Sequence, residues 1–209
     1  MMLLVPVHGN KDYIAASEKH SGRLGVLIGP SYYRKPRGMS FALDNDAYIN
    51  WRNGKDFDEK AWVKLLDKVK DRHHPPMWVL VPDAVGDRQK TLNRWNQYSD
   101  FARSYGWPLA FAAQDGMVSS DVPKDADVVF VGGSTSWKWS TVKRWCRDFP
   151  RVHVGRVGSL EKLWECESLG AESCDGSGFL REGWHGRRAR GIKTWLSVPT
   201  DPQIPLFDH

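Results

Sequence analysis

Cysteine is scarce in this chain: three residues in 209, at Cys146, Cys166 and Cys174, with no C-x-x-C pair. That spacing argues against a disulfide framework and against a cysteine zinc site, and fits a reducing, cytoplasmic setting. Long apolar runs are also missing. The longest, such as Trp78–Val81, fall far short of a bilayer span, and MMLLVPVHGNKDY lacks the basic start of a signal peptide. No repeat, low-complexity tract or linker-like segment interrupts the sequence. Aromatics are abundant: eleven Trp, eight Phe and six Tyr supply apolar area that argues against disorder. The net charge of +5 is a modest excess that suits a polyanionic partner without requiring one. The length suits one domain, 1–209, with a basic segment over 181–209.

Short apolar runs alternate with helical patterns. Leu3–Val7, Leu24–Ile28, Met39–Leu43, Met77–Val81, Leu109–Ala113, Val128–Val131 and Val152–Val154 read as strands, and Glu172–Cys174 is a shorter eighth. Asp56 or Asp58 caps a helix with Trp62, Leu65, Leu66 and Val69 on one face. Helices are also expected over Asp87–Ser104, with Leu92, Trp95, Tyr98, Phe101 and Ala102 as the apolar stripe, near Trp137–Arg147 and over Leu160–Leu169. Eight βα units predict a compact, minimal (β/α)8 barrel, with an open doubly wound sheet as the competing architecture.

Strand after strand ends in a polar or glycine-rich cluster: Asp44-Asn45-Asp46, Pro82-Asp83, Gln114-Asp115-Gly116, Gly132-Gly133-Ser134, Gly155-Arg156 and Asp175-Gly176-Ser177-Gly178. In parallel α/β folds the ligand site lies at the carboxyl ends of the strands, so these clusters are expected on one face. Asp44, Asp83 and Asp175 then suit glycosidic-bond chemistry. One carboxylate attacks an anomeric carbon; another protonates the leaving group and later acts as base. A remaining Asp, Gln114 and backbone N–H groups at Gly132-Gly133 suit the edge of a heterocycle. Each Asp alone also fits a plain turn or helix cap. His73-His74 has no third ligand nearby and reads as structural or solvent-exposed. Ser134 and Ser177 lack His–Asp partners, and no phosphate-binding or dinucleotide fingerprint is present.

The ordered set resembles the tRNA-guanine transglycosylase superfamily. Asp44-Asn45-Asp46-Ala47-Tyr48 looks like its D-S-G-A-Y segment, whose first Asp is the general acid/base. Val81-Pro82-Asp83 and Ala113-Gln114-Asp115-Gly116 are similar to the segments that hold the base edge, and Val131-Gly132-Gly133 to the V-G-G segment whose N–H faces the base carbonyl. Val154-Gly155-Arg156-Val157-Gly158 resembles the M-G-V-G segment, and Glu167–Asp175 the segment ending in the nucleophilic Asp. No cysteine follows Cys174, so the C-x-C-x-x-C zinc site of the tRNA-acting members is missing. That departure points to the DpdA-type DNA 7-deazaguanine transglycosylases of phages and bacteria, in a short form without the zinc subdomain.

The resemblance implies base exchange on DNA, guanine for a 7-deazaguanine such as 7-cyano-7-deazaguanine (preQ0). Asp175 would be the nucleophile and Asp44 the acid/base, with Asp46 its rival. Asp46, Tyr48, Asp83, Gln114, Gly132 and Gly133 would bind the base. The implied partners are DNA and the free 7-deazaguanine base, with no metal or other cofactor; a homodimer or accessory protein would suit the small size. Arg181, Arg187, Arg188, Arg190 and Lys193, interleaved with Trp184, His185 and Trp195, either bind nucleic acid or form a solvated helix face with the Trp residues inward. Arg34, Lys35 and Arg37 precede the Asp44 strand. Two alternatives stay open: a nucleosidase or DNA glycosylase using water as acceptor, and a non-catalytic nucleic-acid-binding module on a degenerate barrel.

Overall fold

Eight strands, each only two to five residues long, are all that the apolar runs supply. In the computed structural model, which describes residues 1–6, 11–71 and 73–198, they pair in parallel and close in chain order into one barrel. The strands are β1 (Met2–Val5), β2 (Leu24–Ile28), β3 (Phe41–Leu43), β4 (Val79–Leu80), β5 (Leu109–Ala113), β6 (Val128–Val131), β7 (Val152–Val154) and β8 (Ser173–Asp175). Leu3 of β1 pairs with Cys174 of β8 and seals the ring. The expected (β/α)8 barrel is therefore the architecture, not the open sheet.

Among the described residues seven helices surround it: α1 (Lys11–Lys19), α2 (Ala47–Arg52), α3 (Glu59–Lys70), α4 (Arg88–Arg103), α5 (Thr135–Asp148), α6 (Leu160–Ser168) and α7 (Arg187–Ser197). Two crossovers carry no α-helix. After β2 and after β5 the chain makes only single 3-10 turns, Pro30–Tyr32 and Ser119–Asp121. These economies bring a full barrel down to about 200 residues, the short end of the fold's range. The helix starts are set by side-chain caps. Asp58 accepts from Ala61 N at 3.0 Å and Asp87 from Lys90 N at 2.9 Å. Ser134 and Ser159 do the same for α5 and α6. Each satisfies one of the N–H groups a helix start leaves unpaired.

Strand alternation sorts the core into two shells. Leu4, Leu27, Ala42, Trp78, Leu80, Ala110, Ala112 and Val128 fill the barrel interior, with Phe130 against them. Small inward residues (Ala42, Ala110, Ala112) leave room for the Trp78 and Phe130 rings, which meet edge to face at 5.9 Å. The outward residues, such as Leu3, Val26, Phe111 and Val129, pack beneath the helices with Trp62, Leu65, Leu66 and Val69 of α3. On α4 the stripe is rotated from the one expected. Thr91, Trp95, Ser99 and Ala102 are buried, while Phe101 is 41% exposed. Phe101 sits instead at the α3–α4 seam, 6.1 Å from Trp62 and 5.6 Å from Tyr105.

Candidate active site

The carboxyl ends of β3, β4, β5, β7 and β8 carry the polar side chains together. Asp44 directly follows β3. Its Oδ2 accepts from the Tyr32 hydroxyl at 2.7 Å, and its Oδ1 from the N–H groups of Asn45 and Asp46 at 2.7 and 3.3 Å. Burial pushes the Asp44 carboxyl up to about 7; the nearby charges of Asp46 and Asp175 push the same way, against the Tyr32 hydrogen bond. Tyr32 is raised too, by burial first and then by Asp44.

Asp46 does not share this position. The expectation that it points the same way as Asp44 requires β3 to continue, but β3 stops at Leu43 and Asp46 turns left-handed, with φ 60°. Its Oδ2 accepts from Ser31 N at 2.6 Å, and its buried Oδ1 has no hydrogen-bond partner. Burial raises its pKa. Glycine at 29 is what permits this approach. A Cβ there would collide with Asp46 Oδ1 and lie 2.6 Å from Tyr32 Cε1.

Asp83 is buried and held from both sides. Asn45 Nδ2 donates to its Oδ1 at 2.9 Å and Gln114 Nε2 to its Oδ2 at 2.6 Å. Asn45 Nδ2 also reaches Val81 O at 3.0 Å, while Gly86 N donates to Gln114 Oε1 at 3.0 Å. Burial raises the Asp83 pKa, opposed by the Asn45 bond. The network joins β3, β4 and β5 into one acceptor-rich edge. With one bond on each end, Gln114 keeps one Nε2 hydrogen and one Oε1 lone pair for a ligand. Gly132 departs from its expected role. Its N–H donates to Ala113 O at 3.0 Å, because the sheet bonding runs one residue past β6. Gly133, at φ 65°, packs where a Cβ would lie 2.6 Å from Asp115 Oδ2.

Asp175 closes the ring at the end of β8, 7% exposed. Its Oδ1 accepts from Arg156 N at 3.0 Å and pairs with His153 Nε2 at 3.0 Å. His153 Nδ1 meets Ser173 Oγ at 2.8 Å. The imidazole is fully buried, stacked on Phe130 and edge-on to Trp78, each at 4.7 Å. Sequence reading missed His153. The signal was available, because in a Val-His-Val strand the middle residue faces opposite to its apolar neighbours, here into the barrel. Lys138, buried on α5, donates to the carbonyls of Gly155 and Arg156, the latter at 3.3 Å. It fixes the turn that aims the Arg156 N–H at Asp175. Burial lowers Lys138 to about 8.

Arg156 itself is left-handed, at φ 54°. Its guanidinium donates to Gly133 O and lies 4.3 Å from the Tyr48 ring centroid. Tyr48 is thus joined to the β7 strand end through Arg156. Arg181, Arg187, Arg188, Arg190 and Lys193 are all exposed, whereas Trp184 and Trp195 are buried in the core. Those two rings are not available to stack on bases, and the basic residues form a solvated face. Arg188 reaches Gly178 O at 3.4 Å, close behind Asp175. Lys193 instead lines a cavity of about 540 Å³ that lies outside the barrel between α1 and α7. Arg34, Lys35 and Arg37 line a small outer cavity with Val26 and Met39. His73 is a structural residue, with Nε2 2.6 Å from the Tyr33 hydroxyl. The rest of the basic segment, 199–209, lies outside the described residues.

No protein-family model matches the sequence, and no curated protein matches it. Among solved structures, the chain is similar to a tryptophan synthase complex from Pyrococcus furiosus, with 13% identity over 93% of this chain and 95% of that one and a TM-score of 0.46. It is similar also to a native KDPGal structure, with 11% identity, 93% and 92% coverage and a TM-score of 0.49. The barrel assignment stands on the strand pairing itself. No helix among the described residues is long and apolar enough to cross a membrane.

Proposed function

We propose that this barrel is a DNA base-exchange enzyme that replaces guanine with a 7-deazaguanine. The observation that carries the reading is a pair of carboxyl groups in contrasting environments at one mouth. Asp44 is raised to about 7 and meets a phenol, while Asp175 has the Arg156 N–H and the His153 ring nitrogen on one oxygen. Such contrast separates an acid from a nucleophile. The Asp83–Asn45–Gln114 edge beside them suits a purine's hydrogen-bonding face.

The target nucleotide must leave the base stack to reach the mouth. An Asp175 oxygen attacks C1′, the C1′–N9 bond breaks, and its electron pair goes to the departing guanine. Asp44 supplies that base with a proton. The sugar is then an ester of Asp175. The incoming 7-deazaguanine loses its N9 proton to Asp44, its N9 attacks C1′, and the Asp175 carboxylate is released. An acid/base with a pKa near 7 suits both proton transfers. The likeness of the strand-end motifs to the transglycosylase family supports the same assignment.

The test is exchange of labelled guanine into DNA and tRNA side by side, with Asp175→Asn as control. Label entering DNA, and lost in the variant, is expected. Label entering only tRNA would redirect the substrate. Guanine loss without label entry would make water the acceptor, and label entering neither polymer with no guanine released would remove the chemistry.

A further inference from the structure

Among the described residues Trp51 is the most exposed of the large apolar side chains, at 57%, and it lies next to the proposed base pocket. It stands three residues after Tyr48 on α2, so both rings occupy one helix face. The rings are stacked, 5.9 Å apart and 30° between planes. The Arg156 guanidinium lies on Tyr48 at 4.3 Å, so a stair of flat groups leads from the mouth out to solvent. A groove of about 200 Å³ runs beside it, bordered by Trp51, Lys55, Phe57 and Lys90. Asp83 lines the groove and also accepts from Gln114 at the barrel mouth.

The charges along the groove divide into two groups. Lys90 and Arg94 share one carboxylate, Asp56, at 3.2 and 2.5 Å, and Asp83 and Asp87 line the groove with them. Lys55, in the groove, and Arg52, whose guanidinium lies 6.0 Å from the Tyr48 ring centroid, are exposed and have no ion pair among the described residues. An open indole flanked by uncommitted cations has the chemistry that single-stranded nucleic acid needs: a ring for the base, cations for its phosphates.

We propose that Trp51, Arg52 and Lys55 form a subsite for the nucleotide adjacent to the exchanged one. Its base stacks on Trp51, and its phosphate lies against Lys55 and Arg52. This rests on the base-exchange reading and adds to it how the strand is held. Recognition at this subsite depends on the presence of a base rather than on its identity, because every base has a π-face.

The experiment uses the full chain and fluorescent single-stranded DNA carrying one guanine, read by anisotropy. Each neighbour of that guanine is replaced in turn by an abasic residue. Trp51→Ala is expected to weaken binding about tenfold. That penalty should vanish when one of the two neighbours is abasic. In exchange assays the loss is expected in KM for the oligonucleotide rather than in kcat. Lys55→Ala should reduce the salt dependence by about one phosphate contact. Equal binding by wild type and Trp51→Ala overturns the subsite. So does a penalty that persists with either neighbour abasic, which would mean the substitution acts through folding. Absence of DNA binding by the wild type also overturns it, and tighter binding of the matching RNA overturns the assignment to DNA. Trp51-dependent DNA binding without base exchange would support the subsite while removing the exchange chemistry.

Discussion

Replacing Asp44 by Asn should stabilise the protein at alkaline pH relative to acid pH. The Asp44 carboxyl is raised from 3.8 to about 7 in the folded chain, chiefly by burial. Between those values the folded protein keeps a proton that the unfolded chain has released. Wild-type stability therefore falls as pH rises from about 4 to about 7, and the deficit is constant above that. Three pH units at ~1.4 kcal/mol each give a deficit of ~4 kcal/mol, an upper figure because the residue is only partly buried. Asn cannot ionise, so the variant lacks this slope. Urea unfolding of both proteins at pH 4.5 and pH 8 isolates it. Any altered hydrogen bonding to Tyr32 adds an offset that is nearly the same at both pH values. The raised groups Asp46 and Asp83 titrate in both proteins and largely cancel. The stability difference, variant minus wild type, should grow by about 2–4 kcal/mol between the two pH values. A difference that stays flat would show that Asp44 ionises normally, and would remove it as a proton donor near neutrality.

Other substitutions probe the supports of the same mouth. His153→Phe keeps a ring between Phe130 and Trp78 but removes the partner of Asp175 Oδ1; the single-turnover rate of guanine release should drop about ten- to a hundredfold, with KM little changed. An unaltered rate would mean the Arg156 N–H alone orients the carboxylate. Gly29→Ala forces a methyl against Asp46 Oδ1 and the Tyr32 ring, and should cost on the order of 1–3 kcal/mol in urea unfolding; a neutral effect would contradict the packing described. Arg156→Gly should be more stable than Arg156→Ala by about 1 kcal/mol, since only glycine adopts φ 54° without strain. Equal midpoints would show that the turn is not left-handed in solution.

Much of the barrel was legible because strand ends announce themselves chemically. An apolar run followed by Asp, Gln, Gly or Pro marks where a strand stops and a loop begins, and six such places foretold the shared face. Element lengths were less legible. β4 is only two residues of the apolar stretch Met77–Val81, because just Val79 and Leu80 keep ladder partners. The helix after Asp46 was not seen: six residues give too little periodicity, and its Trp51 faces water where a Trp would be expected to pack inward. The α4 stripe failed for a related reason. Counting apolar residues favoured Phe101 over Thr91 and Ser99, whereas the small hydroxyl residues pack closer to the barrel.

Within the site, the carboxyls differ in what surrounds each rather than in residue type. Three Asp residues sit after strands, as three turn formers would. What separates them is the partner set. Asp83 is held by two side-chain amides, which neutralise nothing but fix both oxygens. Asp44 meets a phenol and two backbone N–H groups, yet burial and two neighbouring carboxylates outweigh those donors. Asp175 has a ring nitrogen and an N–H aimed at one oxygen, leaving the other oxygen as the one these contacts do not occupy. The three backbone positions that hold this arrangement, Gly29, Arg156 and Gly133, lie on three different strand ends. Three carboxyls in three different settings are thereby fixed by loops, and the shortened crossover after β2 takes part directly, since Tyr32 and Ser31 within it donate to Asp44 and Asp46.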